Sequence, residues 1–264
     1  MKLAARIEGV SVMGPGLAGW RQAREILSGR AAYRAQPTVI PAPAALPATE
    51  RRRAGKCVRL ALAAGLEAAA EAGLSARDVV AIFTSSSGDG ENCHAILEDL
   101  ASDDRMISPT RFHNSVHNAS AGYWGIATGA MQSADCLAGF DASFGAGLVE
   151  AMGRIATQPS QPVLLIAYDA PYPQPLHTVR PIPDSFAVAL MLVSPAPSPR
   201  GMRLALELSQ ERAETLADAP LEALRRSIPA ARSLPLLALL AGEEPGRTVI
   251  DYLEGLALGL EVGR

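Results

Sequence analysis

The chain has 264 residues, 48% of them hydrophobic and 19% charged, with a formal net charge of −3. That length is enough to bury a full core in one or two domains, and the slightly acidic balance gives no electrostatic reason to expect nucleic acid. Three cysteines, Cys57, Cys93 and Cys136, show neither even pairing nor metal-ligand spacing, which points to a reduced, cytoplasmic setting. The N-terminus has no convincing secretory pattern, and no apolar run approaches the ~20 residues of a membrane span, so a soluble protein is expected.

Residues 4–13 alternate as a first strand and stop at Gly14-Pro15-Gly16. Residues 17–28 read as a helix carrying Trp20. Residues 35–49 hold Pro37, Pro41, Pro43 and Pro47, which excludes a regular element. Residues 50–72 form the clearest helix, rich in Ala, Leu and Glu and stopped by Gly73. At its start lies Arg51-Arg52-Arg53, the one basic cluster, which is either a solvated helix end or a patch for an acidic partner.

Residues 79–84 are a buried-type strand running into Ser85-Ser86-Ser87-Gly88-Asp89-Gly90. This loop has the look of a phosphate cradle but lacks both a Walker lysine and a dinucleotide glycine pattern. A helix is expected over 92–101, a strand over 134–140 and a helix over 143–157. Residues 163–168 are a continuous apolar run, as in a strand covered on both faces. Residues 169–183 carry five prolines and should be irregular. A strand follows over 186–194, and residues 202–209 would continue it across a turn. In the last stretch, 210–232 reads as helical, 233–241 as a short apolar piece, and 247–262 carries mixed signals. Strands alternating with helices imply an α/β sheet layered with helices.

The segment Ser108-Pro-Thr-Arg-Phe-His-Asn-Ser-Val-His-Asn118 and its continuation to Gly129 concentrate two histidines, two asparagines, Tyr123 and Trp124 among small residues. His113 and His117 are four apart and would share a helix face, but no third metal ligand has suitable spacing. Asp141-Ala-Ser-Phe-Gly-Ala-Gly147 then forms a strand-to-helix turn, where an anionic nucleophile would be favoured by the helix N-terminus. Ser143 is read as the turn residue; without an adjacent base it is a weak nucleophile, and Asp141 or Ser143 would serve equally well as a helix cap. Cys136 lies inside the preceding strand, where a buried thiol behaves as a small hydrophobe. Cys93 beside His94 forms no dyad, because helix neighbours in sequence face apart.

As an ordered set, the helix 53–73, Val80-Ala-Ile-Phe-Thr-Ser-Ser-Ser-Gly88, the segment 108–129, the turn at 141–151, residues 163–169 and Arg180-Pro-Ile-Pro-Asp184 with Phe186-Ala-Val-Ala-Leu-Met-Leu-Val193 resemble the N-terminal half of the β-ketoacyl synthases. The similarity covers residues 1–195. It implies a thiolase-like half-fold: a mixed, mostly parallel five-stranded sheet layered with helices, with residues 196–264 as an abbreviated C-terminal extension completing the same domain.

The resemblance also implies a reactive cysteine at the turn, where Ser143 stands instead, and two catalytic histidines from a second half, whereas no histidine follows His177. Within the family the chain looks like the small chain-length-factor-type subunits of aryl polyene and related pigment pathways, especially in Phe112-His-Asn-Ser-Val-His-Asn118. Such a subunit has no cofactor or metal. It pairs as a heterodimer with a full-length ketosynthase and meets acyl carrier protein through that complex.

Met106, Phe112, His113, Asn114, His117, Asn118 and Phe144 would then shape the interface or acyl pocket, and Val163, Leu164, Leu165 and Ile166 would be the edge strand that pairs with the partner. Two other functions stay open. One is a stand-alone acyltransferase or thioesterase using Ser143 or Cys136 with His113 or His117. The other is a homodimeric scaffold that binds carrier protein.

Overall fold

The computed structural model describes residues 2–263. In chain order the elements are β1 (Lys2–Gly14), β2 (Leu17–Ala18), α1 (Trp20–Leu27), α2 (Ala48–Arg53), α3 (Lys56–Ala72), β3 (Val80–Thr84), α4 (Gly90–Ala101), α5 (Pro109–His113), α6 (Ala119–Thr128) and β4 (Ala134–Leu137). A 3-10 turn at Phe140–Ala142 leads into α7 (Ser143–Thr157), followed by β5 (Val163–Asp169), α8 (Leu176–Val179), β6 (Phe186–Val193) and β7 (Met202–Ser209). The last elements are α9 (Ala219–Ser227), a 3-10 turn at Pro229–Ser233, α10 (Leu234–Gly242), β8 (Gly246–Leu253) and β9 (Leu256–Gly263).

The α/β class holds, but the sheet has nine strands rather than five, in the order β4-β3-β5-β6-β1-β7-β9-β8 with β2 paired to β1. It is mostly antiparallel. Only β3–β4 and β3–β5 run parallel; the long crossovers such pairs need are supplied here by α4–α6 and α7. β1 is the axis: residues 2–7 pair with β7 on one side, and residues 6–13 pair with β6 on the other across a bulge at Ile7/Gly9. Residues 202–209 therefore do not prolong β6. They lie on the far side of β1 and extend the sheet through a C-terminal hairpin, β8–β9.

Two helical layers cover the sheet. Alternate strand residues point to opposite faces, so Ile82, Leu165 and Val188 pack with Phe144, Leu148 and Met152 of α7 and with α10. Phe83, Ile166, Tyr168 and Ala189 pack with α3 and with Tyr123 and Trp124 of α6. Close approach depends on small residues. A Cβ on Gly65 would lie 2.6 Å from Ile166 Cδ1 and 2.7 Å from Trp124 Cζ3, and one on Gly147 would lie 2.7 Å from Leu165 Cδ1. The 50–72 helix is interrupted at Ala54-Gly55, where the backbone is extended. In the C-terminal part only 219–227 is α-helical within 210–232, and the apolar piece forms α10, buried along Leu234, Leu236, Leu237 and Leu240. No helix among the described residues is long and apolar enough to cross a membrane.

One placement is reversed. Val163, Leu164, Leu165 and Ile166 do not form the sheet edge: β5 pairs with β3 on one side and β6 on the other, and every residue of it is buried. Its unbroken apolar sequence suits a central strand, since both faces are covered. The free edge on that side is β4, four residues long.

Candidate functional site

At the end of β4 the chain turns sharply at Gly139-Phe140 and enters α7. Phe140, not Ser143, is the turn residue: its φ is +52°, one of three non-glycine residues among those described with positive φ. Such a conformation persists only when the surroundings enforce it. Ser143 is already helical and 1% exposed. Its hydroxyl donates to the Phe140 carbonyl (2.7 Å) and accepts the Gly139 N–H (3.0 Å). It therefore ties the turn together from behind, and neither it nor Asp141 caps α7, whose N-cap position is Ala142 without a side-chain bond.

Asp141 instead receives two arginines from distant segments. Arg180 Nη2 donates to Oδ1 at 2.6 Å and Arg232 Nη2 to Oδ2 at 3.0 Å. The Arg180 guanidinium lies over the Phe140 ring with Cζ 3.7 Å from the centroid, a cation–π stack. Below the turn, Asp169 at the end of β5 is fully buried. Its Oδ1 accepts the Ser86 N–H (2.9 Å) and hydroxyl (2.6 Å), and its Oδ2 accepts the Ala230 N–H (2.8 Å). Burial pushes its pKa up to about 6, against the hydrogen bonds from Ser86 and Ala230 and the Arg180 charge, which pull it down. The C-terminal 3-10 turn is thereby sewn to the ends of β3 and β5.

Chemically this turn has no nucleophile. A phenyl ring has no group to acylate, and the Ser143 hydroxyl bonds only to backbone, with no base to take its proton. Cys136 sits on β4 with its thiol pushed up to about 11, chiefly by burial and further by Asp135, so it is not a thiolate at neutral pH. Burial also pushes the Cys57 thiol well up.

The segment 106–118 divides. Phe112, His113 and Asn118 line an open groove of about 700 Å³ between α5 and α6, together with Val116 and Ile126. Phe112 is 67% exposed and Ile126 49%. Met106 is exposed but does not line this groove. Asn114 turns inward: it accepts from the Tyr123 hydroxyl at 3.2 Å and donates to the Arg53 carbonyl at 2.9 Å, fastening α5 to the end of α2. His113 and His117 do not share a helix face, because α5 ends at His113 and α6 begins at Ala119. His117 faces a tight crevice with Gly88, Asp89 and Tyr168. Phe144 is 1% exposed in the core against the sheet, so it belongs to neither pocket nor surface. Beside α5, Arg52, Arg53, Lys56, Arg59 and Arg111 line a shallow, mainly basic hollow of about 350 Å³, whose lining also includes Asp89 and Glu91, the latter paired with Lys56 at 2.9 Å.

Sequence reasoning missed Phe140, Arg180 and Arg232. The one available signal was a large aromatic next to Gly139 in a run of small residues; the arginines stand 39 and 91 positions from Asp141, a separation that carries no sequence pattern.

A sequence model of the family described as "Beta-ketoacyl synthase, N-terminal domain" matches residues 20–248. A search of curated protein sequences gave no match. Among solved structures, a chain from the ketosynthase ApeO in complex with its chain length factor ApeC from Xenorhabdus doucetiae is 25% identical, with a TM-score of 0.72 over 99% of this chain and 100% of that one. The ishigamide ketosynthase/chain length factor has a TM-score of 0.73 at 14% identity, over 98% and 99% of the two chains. A chain of the AntDE:AntF assembly, a type II polyketide synthase carrier protein in complex with its ketosynthase, has a TM-score of 0.74 at 10% identity, over 100% and 99%. The last two likenesses concern the fold.

Proposed function

The chain belongs to the family of β-ketoacyl synthase N-terminal domains, and from that premise we propose that it is a non-catalytic, chain-length-factor-like subunit, pairing with a complete ketosynthase in polyene, polyketide or fatty-acid-like biosynthesis. The observation that carries this reading is the turn into α7. Where the resemblance calls for a reactive cysteine, the chain presents Phe140 under the Arg180 guanidinium. Condensation by acyl transfer needs a nucleophile and a group to stabilise the oxyanion, so the chemistry falls to the partner. The likeness to a chain of a ketosynthase–chain length factor complex supports the same reading.

The partner would dock on the face that carries the free edge of β4 and the α5–α6 groove. An unpaired edge invites a further strand, and Phe112, Val116, Ile126 and Met131 are exposed apolar side chains of this region. Exposed apolar patches of this kind mark interaction surfaces. Met106, Phe112, His113, His117 and Asn118 would then face the partner and its acyl tunnel, while Asn114 holds the loop from within. The basic hollow at Arg52, Arg53, Lys56, Arg59 and Arg111 suits the acidic surface of a carrier protein brought to the complex. We read the protein as cytoplasmic, and the C-terminal extension 196–264 as completing one domain, since β7, β9 and β8 prolong the same sheet.

Co-expression with the ketosynthase encoded beside it tests the reading. The two chains should copurify in equal amounts, and acyl condensation should require the ketosynthase's nucleophile and not Ser143. A chain that stays monomeric beside that ketosynthase refutes the proposal.

A further inference from the structure

β1 has no strand beside it over part of its length. On the side that faces β7 its pairing stops at Ile7, opposite Met202, and resumes only at Met13, opposite Ala18 of β2. Along that stretch the Val12 carbonyl accepts the Gly19 N–H at 2.9 Å. Strand backbone groups alternate sides, so Val10 directs its own N–H and C=O into the same gap, where neither has a partner among the described residues. The gap is roomy: Val10, Trp20 and Leu240 line a cleft of about 630 Å³ that opens there. Its walls belong to both helical layers, with Trp20 and Leu240 packed on one face of the sheet and Glu71 carried by α3 on the other. The cleft is therefore a slot in the plane of the sheet.

We propose that this slot takes an extended segment of a protein partner, added as a strand beside β1, in which an apolar residue stands between two basic ones. Three observations choose that occupant. Val10 offers a donor and an acceptor side by side, which the backbone of an added strand matches and an alkyl chain does not. The residue opposite Val10 would share its face of the sheet, and there Trp20 and Leu240 supply an apolar wall. Its two neighbours would point to the other face, toward α3 and Glu71. The charge left free in the slot is negative. Arg6 spends its guanidinium on the carbonyls of Ala196, Arg200 and Gly201, at 3.3, 3.4 and 3.2 Å, and Arg24 is held by Glu243 at 2.7 Å. Glu8, at the bulge, and Glu71 have no ion-pair partner among the described residues; Arg200 lies against Gly73 and reaches neither. β3, β5 and β6 stand between β1 and the β4 edge assigned to the ketosynthase, so both surfaces can be filled at once and the occupant of the slot need not be the ketosynthase.

Peptide binding to the isolated chain, followed by amide NMR, tests this. The probe is acetyl-Thr-Lys-Val-Lys-Thr-amide. It should saturate with a Kd of about 0.1 to 1 mM, shifting amides 8–11 and the Trp20 indole while β4 and the α5–α6 groove stay still. N-methylation of the central valine removes the N–H that the Val10 carbonyl would accept and should weaken binding about tenfold. Replacing both lysines by glutamate should abolish it. Glu8→Gln/Glu71→Gln should weaken the lysine peptide about threefold to tenfold and leave the urea midpoint unchanged, since neither carboxylate holds the fold together. No saturable shift at about 5 mM peptide overturns the proposal. Equal affinity for the N-methyl peptide or the glutamate peptide overturns it too, as does an unaltered Kd in the double variant.

Discussion

Truncating Phe112 should separate binding from folding. Its side chain is 67% exposed on α5, and a phenylalanine can bury about 200 Å², leaving roughly 130 Å² to be covered by a partner. At about 25 cal/mol per Å² that is about 3 kcal/mol, of which Phe112→Ala should forfeit about 2 to 3, or roughly 30- to 150-fold in Kd. The fold itself should hardly notice, because exposed substitutions change stability by about 0.5 kcal/mol or less. Val39→Ala is the matched control: Val39 is 79% exposed on the proline-rich loop, outside the groove lining, and its truncation should leave Kd unaltered. Calorimetric titration of the chain into the complete ketosynthase, with urea melts alongside, reads both quantities. A Kd within threefold of wild type for Phe112→Ala, or an equal loss for Val39→Ala, refutes the assignment of this groove to the partner.

Two further substitutions probe the scaffold. The folded pKa of Asp169, about 6, lies above its unfolded value near 3.8, so the folded state binds the proton more tightly. Its contribution to stability is largest below pH 3.8 and is lost as pH rises through 6, with an upper limit of about 3 kcal/mol. Asp169→Asn removes that titration. The stability of wild type relative to the variant, measured by urea unfolding, should therefore improve by about 2 kcal/mol from pH 7 to pH 4, and a pH-independent difference would contradict the linkage. Gly65→Ala should gain about 1 kcal/mol in helix propensity but lose about 2 to 3 to overpacking against Ile166 and Trp124. A more stable variant in urea would show that α3 has room to retreat from the sheet.

The residues themselves often pointed more truly than the resemblance did. Val163-Leu-Leu-Ile-Ala-Tyr-Asp169 has no polar face, and that pattern alone says covered on both sides; the structure places it centrally, with Ser85 and Ser86 of the β3 loop and Ala230 bonded to Asp169 at its end. The edge role inferred for it from likeness belongs to β4, which the sequence marks as a strand within 134–140 but whose edge position follows only from its pairing with β3 alone. The C-terminal hairpin was obscured because Gly259 and Gly263 dilute the strand signal, and its partners, β7 and then β1, lie far away in sequence.

At the turn into α7 the division is clearest. Composition and order along the chain determined the α/β class, the family, the absence of a cysteine at the turn and the concentration of polar and aromatic residues at 108–129, because these depend on local residue identity and spacing. Only the tertiary structure decided that Phe140 rather than Ser143 is the turn residue, that Phe144 belongs to the core, and that Arg180 and Arg232 converge on Asp141. Those facts depend on backbone dihedrals and on contacts between segments brought together by the sheet, and a contact across 91 residues leaves no periodicity in the sequence to read.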